Sequence, residues 1–422
     1  MTTRPTNWAR NITFSAERLH SPTSIERLQD LVATCTRVRP LGTGHSFNRI
    51  ADTTGDLVSV AGLPKMCVMD PGCSTVTVSA GMRYGEVAAH LHNAGYALRG
   101  LGSLPHISVA GAIATATHGS GNTVGNLATA VAALQMVTAD GELVEISRGS
   151  DGDQFCGAVV GLGALGVVTS VTLDVVPAFG MRQCVYDDLP GTALDDHVEE
   201  ILDSAYSVSL FTDWRGAAIK QVWLKYRLDG LDLPEPPTCW LGASLAGEPR
   251  HPIAGMPTEN CTEQLGVPGP WHERLPHFRM QFTPSSGQEL QSEYLLPREH
   301  AAAAFHAIGS IRDRVGPLVQ VSEIRTVAAD DLWLSPSYGR ETVAIHFTWV
   351  PDTAAVTPVL RSVEEQLAPF WPRPHWGKLF TIGPAAISRR YERYADFISL
   401  MGRYDPTGKF RNEVLDLWFP PG

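Results

Sequence analysis

Between Ile107 and Gly121 the chain carries Ser108, Ala110, Gly111, Ala112, Ala114, Thr115, Ala116, Thr117, Gly119, Ser120 and Gly121, almost nothing but small side chains. Side chains of that size hold no neighbour away, so this backbone is open to close approach. Two occupants satisfy it: another segment packed tightly on a helix, or a pyrophosphate seated on consecutive amides. A second glycine-bearing segment, Pro40-Leu41-Gly42-Thr43-Gly44-His45-Ser46-Phe47-Asn48, follows the β-type run Arg37-Val38-Arg39. Its glycines permit a tight loop whose amides grip a ligand while the His45 ring stays free, which reads as a site rather than a core position.

A third glycine run, Gly161-Leu162-Gly163-Ala164-Leu165-Gly166, matches the G-x-G-x-x-G pattern of dinucleotide-binding domains. The β-branched run Val167 to Leu173 follows it, where that fingerprint requires a helix N-terminus, so the glycines are read as a turn into a strand. Around these runs, from Asn7 to about Pro177, short strands alternate with helices. Thr23 to Thr34 is expected to be a helix, with Thr23 as cap, Glu26 completing a capping box, and Ile25, Leu28, Leu31 and Val32 on one face. Leu57 to Val60 and Val76 to Ala80 read as strands, and Tyr84 to Asn93 as a helix closed by Gly95.

From Phe179 to about Pro374 the strands lengthen, interrupted by a proline-rich stretch between Pro234 and Pro276 that is expected to be irregular surface loop. In Val343 to Trp349 the period of two turns Val343, Ile345, Phe347 and Trp349 one way and His346 and Thr348 the other. In Ser322 to Val327 it places Glu323 and Arg325 together, opposite Ile324. A sheet face gathering Glu, Arg, His and Thr is either a solvated face with a cross-strand ion pair or a surface that recognises a hydroxylated ligand. After a helical stretch from Ser388 to Gly402, the turn-forming Asp405-Pro406-Thr407-Gly408-Lys409 can pack back on the first unit.

Length and composition bound the rest. A chain of 422 residues exceeds one ordinary core, and 44% hydrophobic with 18% charged content describes a soluble globular protein. A net charge of −11 with no long basic run excludes the phosphate-neutralising stripe of a nucleic-acid binder. The seven cysteines are odd in number and never spaced Cys-x-x-Cys, which disfavours a disulfide framework and a structural metal site. No apolar leader opens the sequence and no 18-residue apolar run crosses a membrane, so a cytoplasmic enzyme is expected, with nothing forcing more than a monomer.

The His45 run, Gly-Ser-Leu-Pro-His-Ile-Ser-Val-Ala-Gly from Gly102 to Gly111, and Thr-His-Gly-Ser-Gly from Thr117 to Gly121 together resemble the FAD-binding half of the vanillyl-alcohol oxidase flavoprotein family. Ser207 to Arg215, Gly269 to Phe278 and Thr283 to Gly287 resemble its alditol-oxidising branch, so the likeness spans nearly the whole chain. The resemblance implies an α+β fold of two domains. Residues 1–178 would form an FAD-binding domain of two α/β subdomains, 179–376 a substrate (cap) domain with a large antiparallel sheet, and 377–422 a segment returning to the first domain.

It further implies FAD bonded through the His45 ring, a link that withdraws electron density from the flavin and makes it a stronger oxidant. Gly42, Thr43, Gly44, Ser46, Phe47, Ser103, Ser108, Gly111, Thr115, Ala116, Thr117, His118 and Val168 fall at flavin-contact positions, His118 without a bond of its own. Ser103, Glu323, Arg325, Thr348 and Lys378 fall at substrate positions. The implied reaction takes the terminal primary alcohol of an alditol such as xylitol or sorbitol to the aldehyde, hydride passing from C1 to flavin N5 and O2 being reduced to H2O2. His346 or Lys378 would take the hydroxyl proton, Arg325 would hold the reacting oxygen, and Lys378 would face flavin N1 as a counter-charge. Gly102 stands where a small residue leaves oxygen room above the ring and where alditol oxidases tend to carry alanine. Two alternatives remain: a flavoenzyme of the same build acting on a sugar lactone or another natural-product alcohol, and a flavin-binding protein without catalysis. Retention of His45, Glu323, Arg325, Thr348 and Lys378 together argues against the second. Which polyol is preferred depends on cavity shape.

Overall fold

A computed structural model describes residues 4–229 and 234–421. Among these residues the strands form three principal sheets. Arg18–His20, Asp56–Val58 and Val38–Pro40 make a small parallel sheet, and the last of them delivers the chain into the His45 loop. Cys67–Asp70, Thr75–Ser79, Val167–Asp174, Val131–Val137 and Leu143–Ser147 make an antiparallel sheet in that order. The run after Gly166 is thus a strand, and Leu162 and Gly163 turn into it with positive φ of 53° and 65°.

The remaining sheet is ten-stranded and antiparallel. Its central order is Gly180–Leu189, Ile219–Arg227, Ser207–Thr212, Val319–Val327, Thr342–Trp349 and Leu290–Pro297. One face carries Leu224, Leu210, Ile324, Ile345, Phe347 and Trp349. It packs against helices Ala193–Asp203, Ala301–Gly309 and Thr353–Leu367 through residues such as Ile201, Phe305 and Leu360. Two polar groups on this apolar side are satisfied, Trp214 Nε1 donating to Ser322 Oγ at 2.7 Å and Trp349 Nε1 to Ser292 Oγ at 2.9 Å. The whole is the vanillyl-alcohol oxidase type of α+β fold. Among the described residues no helix is long and apolar enough to cross a membrane.

Four local expectations need correcting. The first helix spans Ile25–Thr34 and is capped by Ser24, whose extended backbone lets its hydroxyl accept from Arg27 N, so Thr23 lies one residue outside and Glu26 is too near the cap to close a box. Strand Asp56–Val58 ends before Val60, because Ser59 caps a short turn of 3-10 helix over Val60–Gly62. The stretch 388–402 is broken: helices Pro384–Arg390 and Tyr394–Tyr404 flank an extended Tyr391, whose buried ring lies 5.0 Å from that of Trp376. The proline-rich stretch is no mere surface loop. Ile253, Cys261 and Phe278 at its end pack on Val185, Phe211, Trp223 and Val321, covering the sheet face opposite the helices. Helix Tyr84–Asn93 and the φ of +84° at Gly95 match expectation.

Candidate active site

The loop bearing His45 is pinned from two directions. Gly44 takes a φ of +71°, which a side chain would strain, and its carbonyl accepts from Trp8 N at 2.8 Å. Asn7 and Asn11 donate to the carbonyls of Ser46 and Phe47, and Trp8 stacks on the His45 ring at 5.3 Å. From the other side Phe47 N donates to Gly377 O at 2.7 Å, while Asn48 Nδ2 donates to Trp376 O and Lys378 O, each at 2.8 Å. The loop and the turn that presents Lys378 are therefore one unit. The half-buried His45 ring meets Thr43 Oγ1 through Nδ1 at 3.0 Å, its Nε2 is buried without a partner, and burial pushes its pKa down to about 4, leaving it neutral.

Across the cavity lies the small-residue run. Its one short helix is Val109–Ala114, and a side chain added at Gly42 would collide with Ser108 Oγ, while a Cβ at Gly111 would lie 2.8 Å from it. Ser108 Oγ is itself buried without a partner. A cleft with a neutral histidine and a hydroxyl awaiting partners, glycines where the walls come closest, and apolar sides from Leu134, Met136, Leu165 and Val168 fits a flavin with its pyrophosphate tail. Gly42, Thr43, Gly44, Ser46, Phe47, Ser103, Ser108, Gly111, Thr115, Thr117, His118 and Val168 all line this cavity with His45. Ala116 does not; with a φ of +52° it turns its methyl into the core. At Gly102 an added Cβ would meet Ile107 and Thr117 at 3.7 Å, ordinary contact, so alanine fits there too.

The second wall is the large sheet's other face. Cross-strand register sets Glu293, His346, Glu323 and Phe211 in one row over four adjacent strands, with Gln291, Thr348 and Val321 in the next. All line the same cavity as the His45 loop, with Arg325 and Lys378. The face is not solvated: Glu323, Arg325, His346 and Thr348 are between 3% and 7% exposed, because the Ser103 segment, the Lys378 turn and the end of the proline-rich stretch cover it.

Glu293, fully buried, organises the charges. Its Oε1 takes Arg325 NH2 at 2.6 Å and its Oε2 takes Lys378 Nζ at 2.6 Å. His118 Nε2 stands 3.3 Å from Oε1 without hydrogen-bond geometry. Burial alone would raise the Glu293 carboxyl, but Lys378, His118 and Arg325 overcome it and hold it well below the usual carboxylate range. Glu323 follows the same logic, burial being outweighed by Arg325 and His277. Arg325 also donates to Ser103 Oγ at 3.2 Å. Lys378 Nζ lies 2.9 Å from His346 Nδ1, and His346 Nε2 lies 3.1 Å from Thr348 Oγ1. An ammonium only donates, so Nδ1 accepts and Nε2–H faces the threonine. Burial, then the Lys378 charge, hold His346 neutral.

Residues 16–147 match the FAD binding domain family, and residues 283–417 match the D-arabinono-1,4-lactone oxidase family. An alditol oxidase of Streptomyces sp. is 54% identical over 98% of this chain and 99% of its own. The chain belongs to the alditol oxidase family. Members of the alditol oxidase family are FAD-dependent oxidoreductases, and this chain is one. More distant is an L-gulono-1,4-lactone dehydrogenase of Mycobacterium tuberculosis, 29% identical over 96% of this chain and 97% of its own. Cholesterol oxidase from B. sterolicum shares the fold, with a TM-score of 0.78 at 15% identity over 99% of this chain and 97% of that one.

The sequence does not mark Glu293, His277, Gln291 or His375, the last of which is buried and also lines the cavity. Gln291 and Glu293 alternate with Ser292 and Tyr294, a contrast too weak to mark a face. His277 sits at the end of a stretch read as surface, and no local pattern aims it at Glu323.

Proposed function

We propose that this protein oxidises the terminal primary alcohol of an alditol, such as xylitol or sorbitol, to the aldehyde, with O2 as acceptor and H2O2 as product. FAD bound in the cleft, joined to His45, would supply the two-electron acceptor. The observation that carries the reading is the buried row Glu293, His346, Glu323 with Arg325 and Lys378 facing the His45 loop across one cavity. A polyol both donates and accepts along its length. Glu323 accepts from substrate hydroxyls, while Ser103, Thr348 and Arg325 hold the reacting end. Arg325, anchored between two carboxylates, donates to the reacting oxygen as negative charge grows there. His346 Nδ1, whose lone pair Lys378 Nζ occupies at 2.9 Å, takes up the hydroxyl proton once the Lys378 N–H gives way, and Lys378 stays an ammonium on Glu293 as the cation nearest the developing charge. In this reading residues 1–178 hold the flavin, 179–376 close over substrate, 377–422 return to the first unit, and the protein works as a cytoplasmic monomer.

The match of residues 283–417 to a lactone oxidase family favours one other reading, oxidation of a sugar lactone in the same site. Two experiments decide. Acid precipitation should leave the yellow colour in the pellet; colour in the supernatant sinks the histidyl link. Anaerobic xylitol should bleach the native protein; bleaching by L-gulono-1,4-lactone and not by any alditol would transfer the assignment to the lactone.

A further inference from the structure

Behind Glu323 lies a further buried cation, besides Arg325 and Lys378. Lys225, on strand Ile219–Arg227, is wholly enclosed, and its Nζ lies 2.6 Å from Leu275 O, 3.1 Å from Pro276 O and 3.1 Å from His277 Nδ1. His277 Nε2 lies 2.8 Å from Glu323 Oε1, and the His277 ring is packed edge-on by Phe211 and Trp223 at 5.6 and 5.2 Å. Backbone amides of His277 and Phe278 donate to Ser103 O. The segment thus touches two of the proposed substrate residues.

The donors and acceptors match in one way. An ammonium has three protons, and Lys225 has three acceptors, two of them carbonyls that cannot donate. His277 Nδ1 is then the lone pair, and Nε2–H donates to the carboxylate. The opposite tautomer sets N–H against N–H at one end and a lone pair against a carboxylate at the other. Burial pushes Lys225 down to about 7, with Glu323 opposing and Arg325 and Arg274 reinforcing the fall. Burial and the Lys225 charge push His277 down to about 4, so between these values the lysine is charged and the ring neutral.

We propose that Lys225 is a positioning residue: it fixes His277 with its proton on Nε2 and through that ring holds Glu323 as a charged, oriented acceptor for a substrate hydroxyl. This rests on the reading of Glu323 as a substrate contact, but the relay itself can be tested without substrate. In holoenzyme labelled with 15N-histidine, at about pH 6 between the two values, His277 is assigned by difference from His277→Gln. The wild type should show a protonated Nε2 and an unprotonated Nδ1. In Lys225→Met, which leaves two carbonyls without a donor beside the ring, Nδ1 should gain a proton. A protonated Nδ1 in the wild type, or an unprotonated one in Lys225→Met, overturns the relay whatever the enzyme oxidises.

Kinetics then separate this role from mere packing. Lys225→Met should raise KM for the alditol by about ten-fold with kcat less affected, the scale of one compromised buried hydrogen bond. His277→Gln keeps an N–H at the Nε2 position but cannot change tautomer, so adding Lys225→Met to it should leave KM within about two-fold. An equal rise in both backgrounds would make Lys225 a structural residue and overturn the proposal. If the relay holds by NMR while no alditol is oxidised, the substrate reading fails and the lysine's hold on the ring stands.

Discussion

Glu293 holds both site cations, Lys378 and Arg325, on its two oxygens while itself shielded from water. Removing one partner of such an arrangement is costlier than its net worth, because the survivors stay buried and unpaired. Glu293→Gln keeps the shape and discards the charge. The expected outcome is a loss of about 3 kcal/mol of stability, read as a shifted urea midpoint, and a fall of roughly a hundred-fold in kcat, read by steady-state oxidation. Unchanged kcat would show that Lys378 and Arg325 need no shared anion. Glu323 and Arg325 were legible in the sequence because a strict alternation set them against Ile324. Glu293 was not, since its neighbours Ser292 and Tyr294 carry hydroxyls that blur the contrast on which alternation relies.

At the scale of elements, the site depends on how closely the His45 loop approaches the Val109–Ala114 helix. Gly42→Ala places a methyl against Ser108 Oγ and should cost about 1 to 3 kcal/mol of overpacking, lowering the flavin-to-protein absorbance ratio of the purified protein. Adding Ser108→Ala removes the colliding oxygen and should recover much of the flavin; no recovery would place the fault in the loop's own backbone instead. The small-residue run announced this close approach, yet left open whether a helix or a ligand would use it. In the structure the Gly42 backbone packs against the run at one point, and the cavity borders much of the rest. Helix and strand identities were mostly readable from periodicity. Their ends were settled by which hydroxyl reached an orphan amide, as at Ser24 and Ser59.

Across the whole molecule, the C-terminal segment is tied to the N-terminal third by buried cations resting on carbonyls. Lys409 Nζ donates to Val32 O and Ala139 O at 2.6 Å and to Ala33 O at 3.1 Å, and Arg39 donates to Gly163 O and Phe410 O. Lys409→Met should lower unfolding free energy by about 2 to 4 kcal/mol, seen as a lower urea midpoint at unchanged slope; an unchanged midpoint would mean that the segment's apolar contacts alone secure it. Stability should also fall in acid, in two stages. His251 and His277, pushed down to about 4 by burial, stabilise fully above their ordinary value of 6.5 and lose that contribution as pH falls from there toward 4. Glu293 and Glu323 have carboxyls held below their ordinary 4.5, so theirs is lost only below that. A thermal midpoint that rises between pH 6.5 and 4 would contradict the neutral, buried state of these rings. What the order of residues settled alone was local: where glycine frees the backbone, which side chains share a strand face, and which glycine pattern is not followed by a helix. Fold class and flavin half followed from motifs contiguous in the chain. What only the tertiary structure decided was the meeting of Glu293, His277 and Lys225 with Glu323. Hydrogen bonds between residues dozens of positions apart leave no periodicity to read, and burial turned an ordinary polar sheet face into a charged interior.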